Sequence, residues 1–228
     1  MENAKLDDIF IVSKKAVETT GEMGNLKAGE KISLRALLYA LLMESSNDAA
    51  ETIAENIFPP PASAPQTNSF DENEKNKLNT EFSQTASRKK FIEIMNLRAE
   101  TLGFKNTTFI DPSGLAPENK SSAWELIQIM REILKYDILK QIMQTREIDI
   151  ANADGKNHHF TNSNKLLGRL PDIVAGKTGY TQEAGNCMIL VIKSPLKDGF
   201  IISVVMDAQD RFAETESLMR WTKWAFLW

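Results

Sequence analysis

Two β-rich runs near the C-terminus, Cys187 to Lys193 and Phe200 to Ala208, are joined by Ser194-Pro195-Leu196-Lys197-Asp198-Gly199. Runs of branched apolar residues around a Pro- and Gly-bearing turn make a hairpin signature, and this one commits the last third of the chain to sheet. Just upstream, after the apolar pair Ile173-Val174, comes Lys177-Thr178-Gly179. On an exposed strand edge this triplet would offer an ammonium, a hydroxyl and a residue without a side chain in a row. That combination suits holding a carboxylate while a ligand backbone lies alongside. A three-residue match is weak by itself, so the remaining text has to decide its meaning.

The earlier chain is mostly helical in pattern. Residues 9–12 form a short apolar run, Ser13 to Glu18 reads as a short polar helix, and Gly21, Gly24 and Gly29 mark loops. Ser33 is a plausible N-cap for a helix whose Leu34, Leu37, Leu38, Leu41 and Leu42 share one face. Ser45-Ser46-Asn47-Asp48 interrupts it, and a second periodic run follows with Ala49, Ala50, Ile53, Ala54 and Ile57. Polar side chains at a junction of two buried helices would be costly if buried and idle.

From Phe58 to about Ser87 the text is Pro-rich, then polar, and reads as a loop or disordered insertion. Helical spacing resumes at Phe91 with Met95, Ala99 and Leu102, and Gly103 stops it. Asp111-Pro112-Ser113-Gly114 is a turn cluster, and Ser122-x-x-Glu125 is a capping box opening a helix through Ile133. Leu139 to Met143 continues helical, Thr145 to Ala151 is a candidate strand, and Asp154-Gly155 a turn. Asp210 to Trp228 reads as an amphipathic helix whose Trp221, Trp224 and Trp228 suit core packing better than base stacking.

Composition bounds the function. With 228 residues, 25% charged and 42% apolar, the chain can build one sizeable domain with a core. A net charge of −4 with scattered Lys and Arg gives no nucleic-acid surface. Cys187 lies in an apolar run and reads as a small core residue that cannot form an internal disulfide. His158 and His159 are adjacent in a polar, Asn-rich stretch, without ligands at metal spacing, and read as surface loop. No Gly-x-Ser-x-Gly elbow or phosphate-binding Gly loop is present.

Ser45-x-Asn47 and Lys177-Thr178-Gly179 remain, two of the three motifs of penicillin-recognising serine enzymes. The text around them resembles the D-alanyl-D-alanine carboxypeptidases, the low-molecular-mass penicillin-binding proteins of serine peptidase family S11. The matching stretches are residues 37–50, Met95-Asn96-x-x-Ala99-x-x-Leu102-Gly103, Thr107-x-Phe109-x-Asp111-Pro112-Ser113-Gly114-Leu115, Ser122-Ala123, 162–167, and Gly176 to Thr181 with Ala184-Gly185. They run in the family's order over nearly all of residues 1–228 except the Pro-rich insertion at about 58–87.

The resemblance implies an α+β fold of the transpeptidase/β-lactamase type, an antiparallel sheet flanked by helices with a helical subdomain. It implies an exported cell-wall hydrolase that removes the last D-Ala of peptidoglycan stem peptides through an acyl-enzyme, is trapped by β-lactams, and needs no metal or organic cofactor. By motif, Ser45 would relay protons to the leaving amine, and Asn47 would orient the acyl group and the general-base lysine. Lys177 and Thr178 would hold the terminal carboxylate, Gly179 would admit the substrate backbone, and the Tyr180 N–H would serve the oxyanion.

One piece is expected elsewhere. The family's first motif, Ser-x-x-Lys, carries nucleophile and base upstream of the second motif, and Met1 falls just after its place. Two matches do occur, Ser87-Arg88-Lys89-Lys90 and Ser194-Pro195-Leu196-Lys197, but neither opens a buried helix after a strand. The expectation is therefore a truncated domain, inactive alone, without an export signal, and lacking two N-terminal strands that would cover Phe200 to Ala208. Alternatives are a non-catalytic binder of D-Ala-terminated peptides with the same fold, or a β-lactamase-type hydrolase.

Overall fold

A computed structural model describes residues 4–21, 24–58, 72–152, 154–196 and 199–226, with backbone alone for 72–75. Strand β1 (Ile9–Ile11) pairs antiparallel with β2 (Lys31–Ser33), and helix α1 (Lys14–Val17) lies between them in the chain. Ser33 ends β2 and N-caps helix α2 (Leu34–Glu44), its hydroxyl accepting from the Ala36 N–H at 3.2 Å. Helix α3 (Asn47–Asn56) follows at once.

Of the apolar stripe foreseen on α2, Leu34 and Leu37 are buried, while Leu38, Leu41 and Leu42 are only partly so. Ala36, Tyr39, Ala40 and Met43 are buried too, because α2 is packed against α3, β2 and elements further along the chain. In α3 every residue from Asn47 to Glu55 is buried, three carboxylates included. Glu51 is satisfied by the Arg88 guanidinium in a two-point contact. Glu55 keeps a buried oxygen without a hydrogen-bond partner, and burial raises its carboxyl above the usual range.

Helix α4 (Glu72–Thr101) corrects the expectation of a loop reaching Ser87, and residues 59–71 of that stretch lie outside the described ones. Polar composition hid the half of the helix before Ser87; polar contacts at Ser87 and Arg88 hold it there, and Phe91 and buried Ala99 add apolar packing further along. The Ser87 hydroxyl donates to the Ala54 carbonyl at 2.7 Å and accepts from the Phe58 N–H at 3.2 Å, while Arg88 closes on Glu51. Gly103, at φ +78°, then ends the helix in the left-handed turn that suits glycine.

Helices α5 (Ala123–Ile133) and α6 (Asp137–Gln144) come next. Ser122 caps α5 through the Glu125 N–H, but the Glu125 carboxylate does not complete the reciprocal box. It is claimed instead by the Lys105 and Asn106 N–H groups, the Asn106 amide and the Thr107 hydroxyl. Strands β3 (Glu147–Ala151) and β4 (Asn157–Thr161) form a hairpin that contains both histidines, so the surface-loop reading of this pair is corrected. Alternation sends them to opposite faces. His159 faces out toward Asp149, and His158 stacks on Phe160 and closes on buried Glu30.

The C-terminal third is an antiparallel sheet in the order β5 (Ile173–Thr181), β6 (Gly185–Lys193), β7 (Phe200–Ala208), backed by helix α7 (Arg211–Ala225). Asp210 caps α7 through the Phe212 and Ala213 N–H groups. Trp221 and Trp224 are 53% and 86% exposed, contrary to the core role expected of them, while Thr215 and Met219 make the buried contact; Trp228 lies outside the described residues. Three apolar clusters join the parts. One fills the α1–α2–α3 region, one lies between Met130, Met143 and β5–β6, and one lies between β6 and Met219. Among the described residues, no strand pairs with the outer edge of β7 or of β5.

Candidate functional site

The α2–α3 junction is built as a sharp corner. Ser45 ends α2 in the left-handed conformation, φ 60° and ψ 31°, which a non-glycine residue adopts only when its surroundings impose it. Ser46 N-caps α3 by accepting from the Ala49 N–H at 3.1 Å. The buried Asp48 carboxylate accepts from the Gly24 N–H at 2.9 Å and the Leu26 N–H at 3.1 Å. The polar cluster is thus buried but satisfied, which answers the cost foreseen for it. Gly21 and Gly24 are the other half of this fit. A Cβ at Gly24 would sit 2.6 Å from the Ser46 hydroxyl, and one at Gly21 2.6 Å from the Asn47 amide nitrogen. With the loop this close, Asn47 donates to the Thr20 carbonyl at 2.9 Å.

Strand β5 faces this corner. Lys177 Nζ closes on the Ser45 hydroxyl and also donates to the Thr178 carbonyl at 2.8 Å. Ser45 Oγ lies 3.4 Å from that same carbonyl, and the buried Thr178 hydroxyl is 2.7 Å from the Ser163 hydroxyl. Ser163 is held in turn by its N–H to the Met43 carbonyl, which ties it to the end of α2. All six residues singled out by motif, Ser45, Asn47, Lys177, Thr178, Gly179 and Tyr180, line one cleft of about 500 Å³.

Gly176 and Gly179 are glycines for different reasons. A Cβ at Gly176 would stand 2.7 Å from the Asn164 amide and 3.0 Å from Leu190, so internal packing excludes it. At Gly179 the nearest neighbour would be the Cys187 Cβ at 4.0 Å, an ordinary contact. The fold therefore makes no demand for glycine at 179, and the open space lies on the cleft side.

Sequence patterns did not mark several cleft residues. Arg211, at the start of α7, donates to the Gly179 carbonyl at 2.7 Å and puts a second cation near Lys177. Cys187, expected in the core, is half-buried in the cleft wall opposite Gly179 in the β5–β6 register. Ser113 to Leu115 form another wall, fixed from below by Asp111. That carboxylate accepts from the Gly114, Leu115 and Ala116 N–H groups, the Ser113 hydroxyl and the Asn119 amide. Burial alone would raise its pKa, but these donors outweigh burial and hold it below the usual range. The Asp-Pro-Ser-Gly text signalled a turn, while its contact with the cleft depends on packing that no local pattern records.

The two stray Ser-x-x-Lys matches lie away from this cleft. Ser87 is buried between α3 and α4, and Ser194 sits in the β6–β7 turn, where its hydroxyl accepts from the Leu196 N–H; Lys197 is outside the described residues. Among the described residues lining the cleft, Lys177 is the one lysine. No group of three His, Cys, Asp or Glu side chains suited to a metal ion occurs among the described residues, and no helix there is long and apolar enough to cross a membrane.

Comparison with known proteins gives a consistent picture. The family model described as D-alanyl-D-alanine carboxypeptidase, peptidase S11, matches residues 83–210, a stretch that includes Lys177 to Tyr180 but not Ser45 and Asn47. The chain is 29% identical over 222 residues to a D-alanyl-D-alanine endopeptidase of Pseudomonas aeruginosa, covering 95% of this chain and 62% of that protein. It is 29% identical over 185 residues to the D-alanyl-D-alanine carboxypeptidase DacF of Bacillus subtilis, covering 81% and 41%. A D-alanyl-D-alanine endopeptidase of Escherichia coli is 30% identical over 210 residues, covering 90% and 58%. The chain thus spans between 41% and 62% of these relatives. The Streptomyces K15 DD-transpeptidase superposes with a TM-score of 0.80 at 22% identity, covering 99% of this chain and 82% of that one. A D-alanyl-D-alanine carboxypeptidase of Mycobacterium tuberculosis gives 0.76 at 21%, covering 99% and 77%. These structures establish the α+β DD-peptidase fold.

Proposed function

Because the chain belongs to the D-alanyl-D-alanine carboxypeptidase family, peptidase S11, we propose that its cleft binds peptidoglycan stem peptides ending in D-Ala-D-Ala and is the larger part of a serine-type peptidase site. The supporting observation is the meeting of Lys177 and Ser45, which brings both motifs to one cleft wall. In this reading the Lys177 ammonium and Thr178 hydroxyl hold the terminal carboxylate, with Arg211 adding charge at the same end. Gly179 gives the ligand backbone room, and the Tyr180 N–H faces the oxygen that becomes negative on attack. Ser45 relays a proton to the departing D-Ala amine, and Asn47 orients the acyl group. The serine that attacks the penultimate carbonyl and the lysine that deprotonates it belong to a Ser-x-x-Lys element, and no such element lines this cleft among the described residues. The chain by itself is therefore expected to bind and not to form an acyl-enzyme, and the site of action is the cell envelope.

Titration of acetyl-Ala-D-Ala-D-Ala against the purified chain, followed by amide NMR shifts, tests the binding half. Shifts should centre on residues 177–181, and Lys177→Ala should weaken binding about tenfold or more, the cost of losing a charged hydrogen bond. A fluorescent penicillin should leave no covalent band. Binding that ignores Lys177, or acylation mapped to Ser45, would overturn these assignments.

A further inference from the structure

Beyond Thr181 the cleft opens into a second groove, of about 550 Å³, sharing Gly114, Thr181 and Ala184 with it. Its opposite wall carries Lys105 and Lys120. Both ammonium groups are exposed, and neither forms an ion pair with a described residue. Glu183 is the one carboxylate among the described lining residues, so the groove is net positive.

The lysines stand on braced backbone. Residue 120 is paired with Thr108 through two hydrogen bonds of 2.8 and 3.0 Å. The N–H of Lys105 donates to the buried Glu125 carboxylate at 2.9 Å, and the adjacent turn is locked by Asp111 and Asn119. The braced backbone spares the ordering cost that a loose loop would add, leaving only the side-chain freedom of each lysine to be lost on meeting a ligand.

Direction follows from the cleft. A ligand whose carboxylate lies at Lys177 and Thr178, and whose reacting carbonyl faces the Tyr180 N–H, runs antiparallel to β5 toward Thr181. Among the described residues no strand pairs with the outer edge of β5, which leaves it available to such a ligand strand. Thr181 is four residues beyond Lys177, about 13 Å at strand rise. With the terminal residue set against Thr178, one-to-one pairing puts the fourth ligand residue, counted from its C-terminus, at Thr181 and the mouth of the groove.

We propose that the Lys105–Lys120 groove is a specificity subsite for a carboxylate carried three residues upstream of the terminal D-Ala. The inference rests on the proposed D-Ala-D-Ala reading of the cleft and adds a preference for acidic peptides. The probes are acetyl-Glu-Ala-D-Ala-D-Ala and its neutral partner acetyl-Gln-Ala-D-Ala-D-Ala, titrated by amide NMR. At low salt the acidic peptide should bind roughly threefold to fivefold tighter, the scale of an exposed charge pair. That ratio should shrink at about 0.5 M salt, where the Debye length falls to about 4 Å. The double substitution Lys105→Gln, Lys120→Gln should also bring it to about one. Equal affinities in the unsubstituted chain, or a preference that survives the double substitution, would overturn the subsite alone if binding still depends on Lys177. Failure of both peptides to bind would overturn the subsite together with the reading of the cleft.

Discussion

Gly176 and Gly179 occupy one strand three positions apart, yet they answer to different constraints, and substitution separates them. Gly176→Ala pushes a methyl into the Asn164 amide and Leu190, an overpacking that costs about 1–3 kcal/mol and should show as a lowered melting temperature. Gly179→Ala meets nothing closer than Cys187, so its melting temperature should stay within a degree or so of the unsubstituted chain while affinity for a D-Ala-D-Ala peptide falls. Parallel thermal melts and titrations of the two variants check this. Equal loss of stability in both would mean that position 179 is a packing glycine after all. Ser45 shows the same logic from the backbone side, since its left-handed φ is imposed by the α2–α3 corner and costs of order 1 kcal/mol that the fold must offset.

At the scale of elements, α3 is unusual in burying Asp48, Glu51 and Glu55 on one helix. Asp48 and Glu51 have full partners; Glu55 does not. Burial raises the Glu55 carboxyl, with the Ser13 hydroxyl and nearby cations only partly opposing it and Glu51 adding to it. The folded chain therefore holds a proton there more tightly than the unfolded chain. Its contribution to stability is complete below the unfolded carboxyl pKa and is lost as pH rises through the folded one. Glu55→Gln should accordingly raise the melting temperature at pH 7, and the gain should shrink as pH approaches about 4. A melting series of both proteins from pH 4 to 8 checks the sign. A gain that grows on acidification would contradict it.

For the molecule as a whole, the outer edge of β7 has no strand against it among the described residues, and exposed Phe200, Met206 and Trp124 lie close by. Open apolar edges pair with other edges. Self-association rising with concentration is expected in sedimentation velocity, and Phe200→Lys should reduce it by placing a charge at the strand's start. A monomer at all concentrations would show that α5 and the strand twist already protect the edge. How far the text foretold this molecule divides along the same lines. The β6–β7 hairpin, the helix caps and the two motifs were legible because each is a local pattern, as at Ser33 over Ala36, Ser45-x-Asn47 and Lys177-Thr178-Gly179. Arg211, Cys187 and the Asp111 wall were not, since their roles depend on neighbours remote in sequence. The first half of helix α4, up to about Ser87, was missed because its polar text carries no apolar stripe, whereas the half from Phe91 to Leu102 was legible; the Trp221 and Trp224 positions were missed because amphipathic spacing cannot tell an occupied face from an open one.

The corner at Ser45 touches the carbonyl of Thr178, a residue 133 positions later. During synthesis the first wall of the cleft, with its strained residue and its stack of buried carboxylates, emerges long before the strand that completes it. That wall has to wait unfinished, or pair provisionally, while more than half the chain is still being made. Contacts of this sequence separation are slow to form, since loop closure must precede any reward from the contact. A ligand spanning both walls can engage only the finished fold, so recovery of peptide binding after dilution from denaturant should lag behind recovery of helical signal.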